Sequence, residues 1–231
     1  MKIADQPLRV LVGCERSGVV RRAFRALGHD AWSCDLAPAD DGSEYHFQMD
    51  LRDLLALYED GLYGFWDLLI VHPECRFLCN SGVLRLYKGG KKRNGRDWPR
   101  WQQMEEAARF FKQCLEVKIP RICVENPVMH GYAKYRIGNV AFTQSIQPYE
   151  FGDDASKCTC LWLIGLEELK PTRRVQGRIV EWNGRRVERW ANQTDSGQNR
   201  LGPSEMRSAL RAETYPGIAA AMASQWGGQV L

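Results

Sequence analysis

The 231-residue sequence predicts an α/β fold, an open sheet with a small basic β-hairpin inserted. Three observations predict it. An apolar strand, a glycine turn, a helix, a second strand and an acid follow one another over residues 8–35. An apolar run over 66–71 stops at Pro73 and delivers Cys75 two residues later. A third apolar run over 119–124 ends in Glu125-Asn126-Pro127. In open α/β sheets ligands bind at the carboxyl ends of the strands, so Cys75 and Glu125 are expected at one functional edge.

Residues 8–12 read as a buried strand running into Gly13-Cys14-Glu15-Arg16-Ser17-Gly18. Glycines at 13 and 18 allow close approach of the backbone to a ligand. A helix over 19–27 is closed by Gly28, and a strand over 30–34 ends in Asp35, placed to bind ribose hydroxyls. The full three-glycine dinucleotide fingerprint is missing. His46 to Asp50 forms a short strand tip before a helix over 51–58; Asp50 suits either an adenine amino group or the cap of that helix. After Cys75, residues 80–99 form a basic loop with four glycines, long enough to expect a mobile functional segment. Residues 101–117 repeat apolar side chains at helical spacing through Met104, Ala108, Phe111 and Leu115. Residues 144–152 read as extended and 157–163 as a further strand. Residues 177–190 form a hairpin turning on Asn183-Gly184, because both positions tolerate positive φ. Its basic side chains and two tryptophans suit groove or phosphate contact. A polar linker covers 192–202, a helix 204–211, and a last helix 218–226.

An apolar share of 44% supports a full core in a chain of one domain or one domain with an appendage. No run reaches the length of a membrane span, and residues 1–9 show no apolar signal region, so a soluble, cytoplasmic protein is expected. The net charge of +4 is mild, but cations cluster over 85–100 and 170–189, as suits a polyanion such as nucleic acid or a solvated loop. The eight cysteines are expected to be reduced. Cys75, Cys79, Cys158 and Cys160 would suffice for a zinc site, though not at the usual paired spacing.

The order glycine turn, acid, acid, Pro-x-Cys, Glu-Asn resembles that of the cytosine-5 DNA methyltransferases, above all the short members carried by bacteriophages. The resemblance runs from Val10 to Trp226. It implies a Rossmann-like S-adenosylmethionine-dependent methyltransferase fold. It further implies that Gly13, Cys14, Ser17, Gly18, Asp35, Asp50 and Pro73 hold S-adenosyl-L-methionine, with Cys75 as nucleophile and Glu125 as acid. Arg76, Asn126, Lys157 and Thr159 are expected to contact the base, and Lys91, Lys92, Arg93, Arg185 and Arg186 the DNA. Where the family has Pro-Pro-Cys-Gln, Glu74 and Arg76 flank this cysteine, and Lys157-Cys158-Thr159 stands in place of a Gln-x-Arg-x-Arg strand. The implied organisation is a catalytic domain over 1–169, a hairpin and linker over 170–202 as a minimal target-recognition element, and C-terminal helices over 203–231 completing the domain. No metal is implied; if phage-encoded, the protein would act in the host cytoplasm.

These residues suit the chemistry. Carbon 5 of cytosine is a poor nucleophile until a thiolate adds to carbon 6. A cation such as Arg76 would raise the thiolate fraction of Cys75. A carboxyl group at ring nitrogen 3 would relieve the charge that builds on the ring. The target lies inside a duplex, so the base must be flipped out. The alternatives are an inactive nucleic-acid-binding relative, or an enzyme acting on RNA or a modified base. Recognition sequence and oligomeric state are left open.

Overall fold

A computed structural model of the chain describes residues 3–4, 6–62, 64–202 and 214–230. Strands β1 (Ile3–Ala4), β2 (Arg9–Gly13), β3 (Asp30–Asp35), β4 (His46–Gln48), β5 (Leu68–Val71), β6 (Ile122–Asn126), β7 (Gln144–Ile146), β8 (Thr159–Ile164), β9 (Arg178–Trp182), β10 (Arg185–Arg189) and β11 (Gln229–Val230) alternate with helices α1 (Val19–Arg25), α2 (Leu51–Glu59), α3 (Trp98–Glu116), α4 (Gly131–Arg136) and α5 (Pro216–Met222). Seven strands form one sheet in the order β4-β3-β2-β5-β6-β8-β7. β2 to β6 are mutually parallel, while β8 runs antiparallel between β6 and β7. This is the expected Rossmann-like fold, with the chain reversing outward on either side of β2 and β5.

Alternation along the strands builds two cores. Val10, Val12, Leu68 and Ile70 face α1 and α5, packing with Phe24, Ile218 and Met222. Leu11, Leu69 and Val71 face the other way, toward Leu54 of α2 and Met104 and Phe111 of α3. Every residue of β5 is buried, which is why it reads as an unbroken apolar run.

Several boundaries differ from expectation. α3 begins at Trp98, before Pro99, because Asp97 caps it (Arg100 N–H to Oδ1, 3.3 Å) and proline is tolerated in a first turn. Cys114 rather than Leu115 completes its buried face. The segment from 80 to 97 is not an open loop. It winds through three short 3-10 turns, buries Leu86, and is pinned by the Trp101 indole N–H to the Leu86 carbonyl, 2.8 Å. Residues 148–150 form a 3-10 turn instead of extending β7. The expected hairpin is present, with Asn183 and Gly184 at φ 50° and 69°. The helix expected over 204–211 lies outside the described residues.

α1 starts at Gly18, which has a left-handed backbone and no side chain to cap with. Its orphan amides are met by the buried Glu15 carboxylate, at 2.6 Å from Val20 N and 3.2 Å from Arg21 N. The same helix buries Arg21, 1% exposed, whose guanidinium meets Ser33 Oγ at 2.7 Å and Asp41 Oδ1 at 2.7 Å. Asp41 also binds Arg22, and Arg16 pairs with Asp40 at 2.7 Å. The loop after β3 is thereby tied down over the glycine turn. Partial burial pushes the Asp41 carboxyl up, but the Arg21 and Arg22 hydrogen bonds overcome it and draw it down to about 2.

An Asp41→Asn variant leaves a buried guanidinium uncompensated. Urea unfolding at pH 7 should show a loss of about 3 kcal/mol. Because the folded carboxyl titrates below its unfolded value of 3.8, its contribution is complete above about pH 4. The gap between variant and parent should therefore close as pH falls toward 2.

Candidate active site

The site is built where three strands meet one edge. β5 ends at Val71, and the His72 amide donates to the Gly13 carbonyl at 3.0 Å, holding the ends of β5 and β2 together. Pro73 stops the strand. The chain then turns, with the amides of Leu78 and Cys79 donating to the Cys75 carbonyl, both at 3.0 Å. β6 carries Glu125 and Asn126 within the same edge, both buried. β8 is antiparallel, so its first residues lie where its parallel neighbours end, with Cys160 opposite Asn126. Lys157 and Thr159 reach the site this way. His72, Glu125, Lys157, Thr159, Tyr215 and Met222 line a narrow cleft there.

His72 was not singled out from sequence as a site residue. Its Nδ1 lies 2.7 Å from Glu125 Oε2, and both side chains are 9% exposed. Its place between a buried strand and Pro73 was the available signal. Burial pushes the Glu125 carboxyl up, but Lys157 and the His72 hydrogen bond outweigh it and hold it below the usual range. Glu125 therefore rests as a carboxylate. Cys75 feels Glu125 and Lys157 in opposite senses. The neighbouring Cys79 and partial burial raise the Cys75 thiol.

The expectation that Arg76 raises the thiolate fraction is corrected. Arg76 is mostly exposed, ion-paired to Glu74 and set over the Phe77 ring. The cation that acts on Cys75 is Lys157, supplied by a distant segment. The zinc alternative is not supported by the arrangement: among the described residues no three His, Cys, Asp or Glu side chains converge as a metal set.

On the cofactor side, Cys14 (φ 58°) and Gly18 (φ 67°) bracket the turn in left-handed conformations. The Cys14 thiol is pushed up by burial, and the residue packs partly buried against the core. A side chain at Gly13 would meet Leu51 Cδ2 at 2.2 Å, so this glycine makes room for α2. Ser17 Oγ lies 3.5 Å from Val19 N, and Asp35 accepts from Ala37 N–H at 2.9 Å. Asp50 caps α2, accepting from Arg52 N–H at 2.9 Å, one of the two roles open from sequence. Three buried polar atoms at this edge have no hydrogen-bond partner among the described residues: His72 Nε2 and both amide atoms of Asn126. Buried polar groups are normally satisfied, so the edge fits a polar ligand.

The nucleic-acid candidates stand on two projections. Lys91, Lys92 and Arg93 are exposed on the 3-10 turns, beyond a bridge between Tyr87 and Arg96. Arg185 and Arg186 are exposed at the hairpin tip beside Trp182. The second hairpin tryptophan is not available for contact. Trp190 is buried, stacked on Tyr149 at 3.9 Å between ring centroids, and fastens the hairpin base to the domain.

No family model and no curated protein sequence matches the chain. Solved structures similar to part of it include the following three. A prophage-encoded E. coli protein described as a DNA modification methyltransferase is 14% identical, with 73% of this chain and 52% of that one covered and a TM-score of 0.46. The Entamoeba histolytica methyltransferase EhMeth is 13% identical over 74% and 58%, with a TM-score of 0.47. S. pombe Dnmt2 methyltransferase is 17% identical over 71% and 51%, with a TM-score of 0.43. The matched region thus spans little more than half the length of each of these proteins.

Lys157 is the largest influence lowering Glu125. In Lys157→Gln the carboxyl should titrate at higher pH, and the Cys75 thiol should rise with it. Carbon-13 NMR of labelled glutamate side chains reads the first shift; an unmoved resonance would show that Lys157 does not act on Glu125.

Proposed function

We propose that the chain is a DNA cytosine-5 methyltransferase using S-adenosyl-L-methionine. The observation that carries this reading is the convergence of Cys75, Glu125 and Lys157 at one edge, from the ends of two adjacent parallel strands and the start of an antiparallel one.

Cys75, having lost its proton to solvent, adds as the thiolate to carbon 6 of a flipped-out cytosine, and the electron pair displaced from the ring double bond makes carbon 5 nucleophilic. Glu125, resting as a carboxylate, accepts from the exocyclic amino group and from ring nitrogen 3 once that atom has taken a proton from solvent. Lys157 and Thr159 face the base beside it, and Asn126 offers its unpartnered amide. When bound, S-adenosyl-L-methionine supplies an electrophilic methyl group; the turn from Gly13 to Gly18, Asp35, Asp50 and Pro73 would hold it. Loss of the carbon 5 proton to a base and cleavage of the sulfur–carbon 6 bond then release the product and return Cys75.

Lys91, Lys92, Arg93, Arg185 and Arg186 would grip phosphates of duplex DNA, with the hairpin and linker over 170–202 as a minimal target-recognition element on a catalytic domain made of 1–169 and 203–231. Host cytoplasm is the setting this reading implies for a phage-encoded enzyme. A second reading, an inactive nucleic-acid-binding relative, is favoured by one observation: Glu74 occupies the arginine that would otherwise activate Cys75.

A covalent trap separates them. Protein, S-adenosyl-L-methionine and duplexes of varied sequence containing 5-fluorocytosine should give a denaturation-resistant adduct, absent in Cys75→Ser. The fluorine blocks the final elimination. An adduct that persists in Cys75→Ser would refute the assigned nucleophile. Adducts on RNA alone would move the substrate class, and binding without any adduct would favour the inactive relative.

A further inference from the structure

Release of a methylated base needs an acceptor for the carbon 5 proton, and one side chain of the cleft has a basic atom to spare. His72 Nδ1 lies 2.7 Å from Glu125 Oε2, and both side chains are 9% exposed. A carboxylate only accepts, so Nδ1 carries the ring hydrogen and donates it. Nε2 is then left with a lone pair. It is buried and has no hydrogen-bond partner among the described residues, and His72 lines the cleft with Glu125, Lys157 and Thr159. A carboxylate that fixes the tautomer and orientation of an imidazole, with the other nitrogen left open, is the arrangement of a general base. The residue is also held through its backbone. The His72 amide donates to the Gly13 carbonyl at 3.0 Å, and Pro73 disfavours helical conformations for the residue before it. Cys75 follows on the same loop, so base and nucleophile are carried together. The other titratable groups around His72 are Glu15 of the glycine turn, which is buried and feels the imidazole, Lys157 ahead of β8 and Tyr215 ahead of α5. Carboxyl groups from two sides favour a positive imidazole, and Lys157 opposes it.

We propose that His72 is a catalytic residue, the base that takes the carbon 5 proton after methyl transfer. The carbon 5–hydrogen bond breaks and the proton bonds to Nε2. The electron pair left behind forms the carbon 5–carbon 6 double bond, the sulfur–carbon 6 bond breaks, and its pair leaves on Cys75 as the thiolate. His72 is then an imidazolium whose Nδ1 hydrogen faces the Glu125 carboxylate, and it returns the Nε2 proton to solvent. Ring nitrogen 3 gives its proton back to solvent as well. No oxidant or further reactant is required. The catalytic role rests on the reading of the chain as a cytosine-5 methyltransferase; the tautomer of His72 does not.

Two measurements test it. The first is nitrogen-15 NMR of the parent protein at about pH 8, with neither nucleic acid nor S-adenosyl-L-methionine present. It should find the hydrogen of His72 on Nδ1 and Nε2 bare; a hydrogen on Nε2 overturns the proposal. The second uses His72→Asn, with folding checked by circular dichroism. The asparagine amide nitrogen can stand at the place of Nδ1 and donate to Glu125, but the variant has no base at the place of Nε2. On 5-fluorocytosine, where elimination never occurs, His72→Asn should form the adduct as fast as the parent. On ordinary cytosine its turnover should fall about a hundredfold or more. A denaturation-resistant adduct carrying the transferred methyl group should then build up, which the parent does not accumulate. Turnover at the parent's rate overturns the proposal. So does a loss of turnover matched by an equal loss of fluorocytosine adduct, which would mean that His72 only positions Glu125. Absence of any adduct in the parent would overturn the methyltransferase reading and the base role with it, whereas failure in His72→Asn alone strikes only the base role.

Discussion

A carboxylate held in a buried position is costly unless cations and donors face it. The candidate site is arranged around that constraint at Glu125. His72, from the end of one neighbouring strand, and Lys157, from just before the other, together overcome the desolvation of the carboxyl group. The same lysine favours ionisation of Cys75 while Glu125 opposes it. Acid and thiol are therefore electrostatically linked, and neither can be altered without moving the other.

The topology explains how these groups meet. Parallel strands deliver their carboxyl ends to one edge, which brings Cys75 beside Glu125. A further parallel strand would bring only its own end. β8 runs the other way and presents its beginning instead, so Lys157 and Thr159 arrive from a segment more than thirty residues beyond Glu125. The closing helix α5 completes the opposite wall through Met222 while packing against α1, and so joins the cleft to the glycine turn.

The periphery is organised by anchoring at the base and exposure at the tip. Trp101 holds the basic segment through Leu86, and Trp190 holds the hairpin through Tyr149. Beyond those anchors stand Lys91 to Arg93 and Trp182 with Arg185 and Arg186. The two hairpin tryptophans, identical in type, have opposite roles: one packs and the other stands in solvent. Pro99 is a comparable case. Proline reads as a helix breaker in sequence, yet in the first turn it costs no hydrogen bond, and α3 includes it.

The sequence by itself determined the succession of strands and helices, the glycine turn, the hairpin, and the delivery of Cys75 and Glu125 to strand ends. These follow from local rules: apolar periodicity, the φ freedom of glycine, and proline as a stop. Only the tertiary structure decided which cation serves the thiol. Arg76 is adjacent in sequence but is taken by Glu74, whereas Lys157 is remote and faces the site because its strand is reversed. The same holds for His72 against Glu125 and for Trp190 against Tyr149. Each depends on where a side chain points after the sheet has closed, and electrostatic partnership is set by distances in space, which spacing along the chain does not encode.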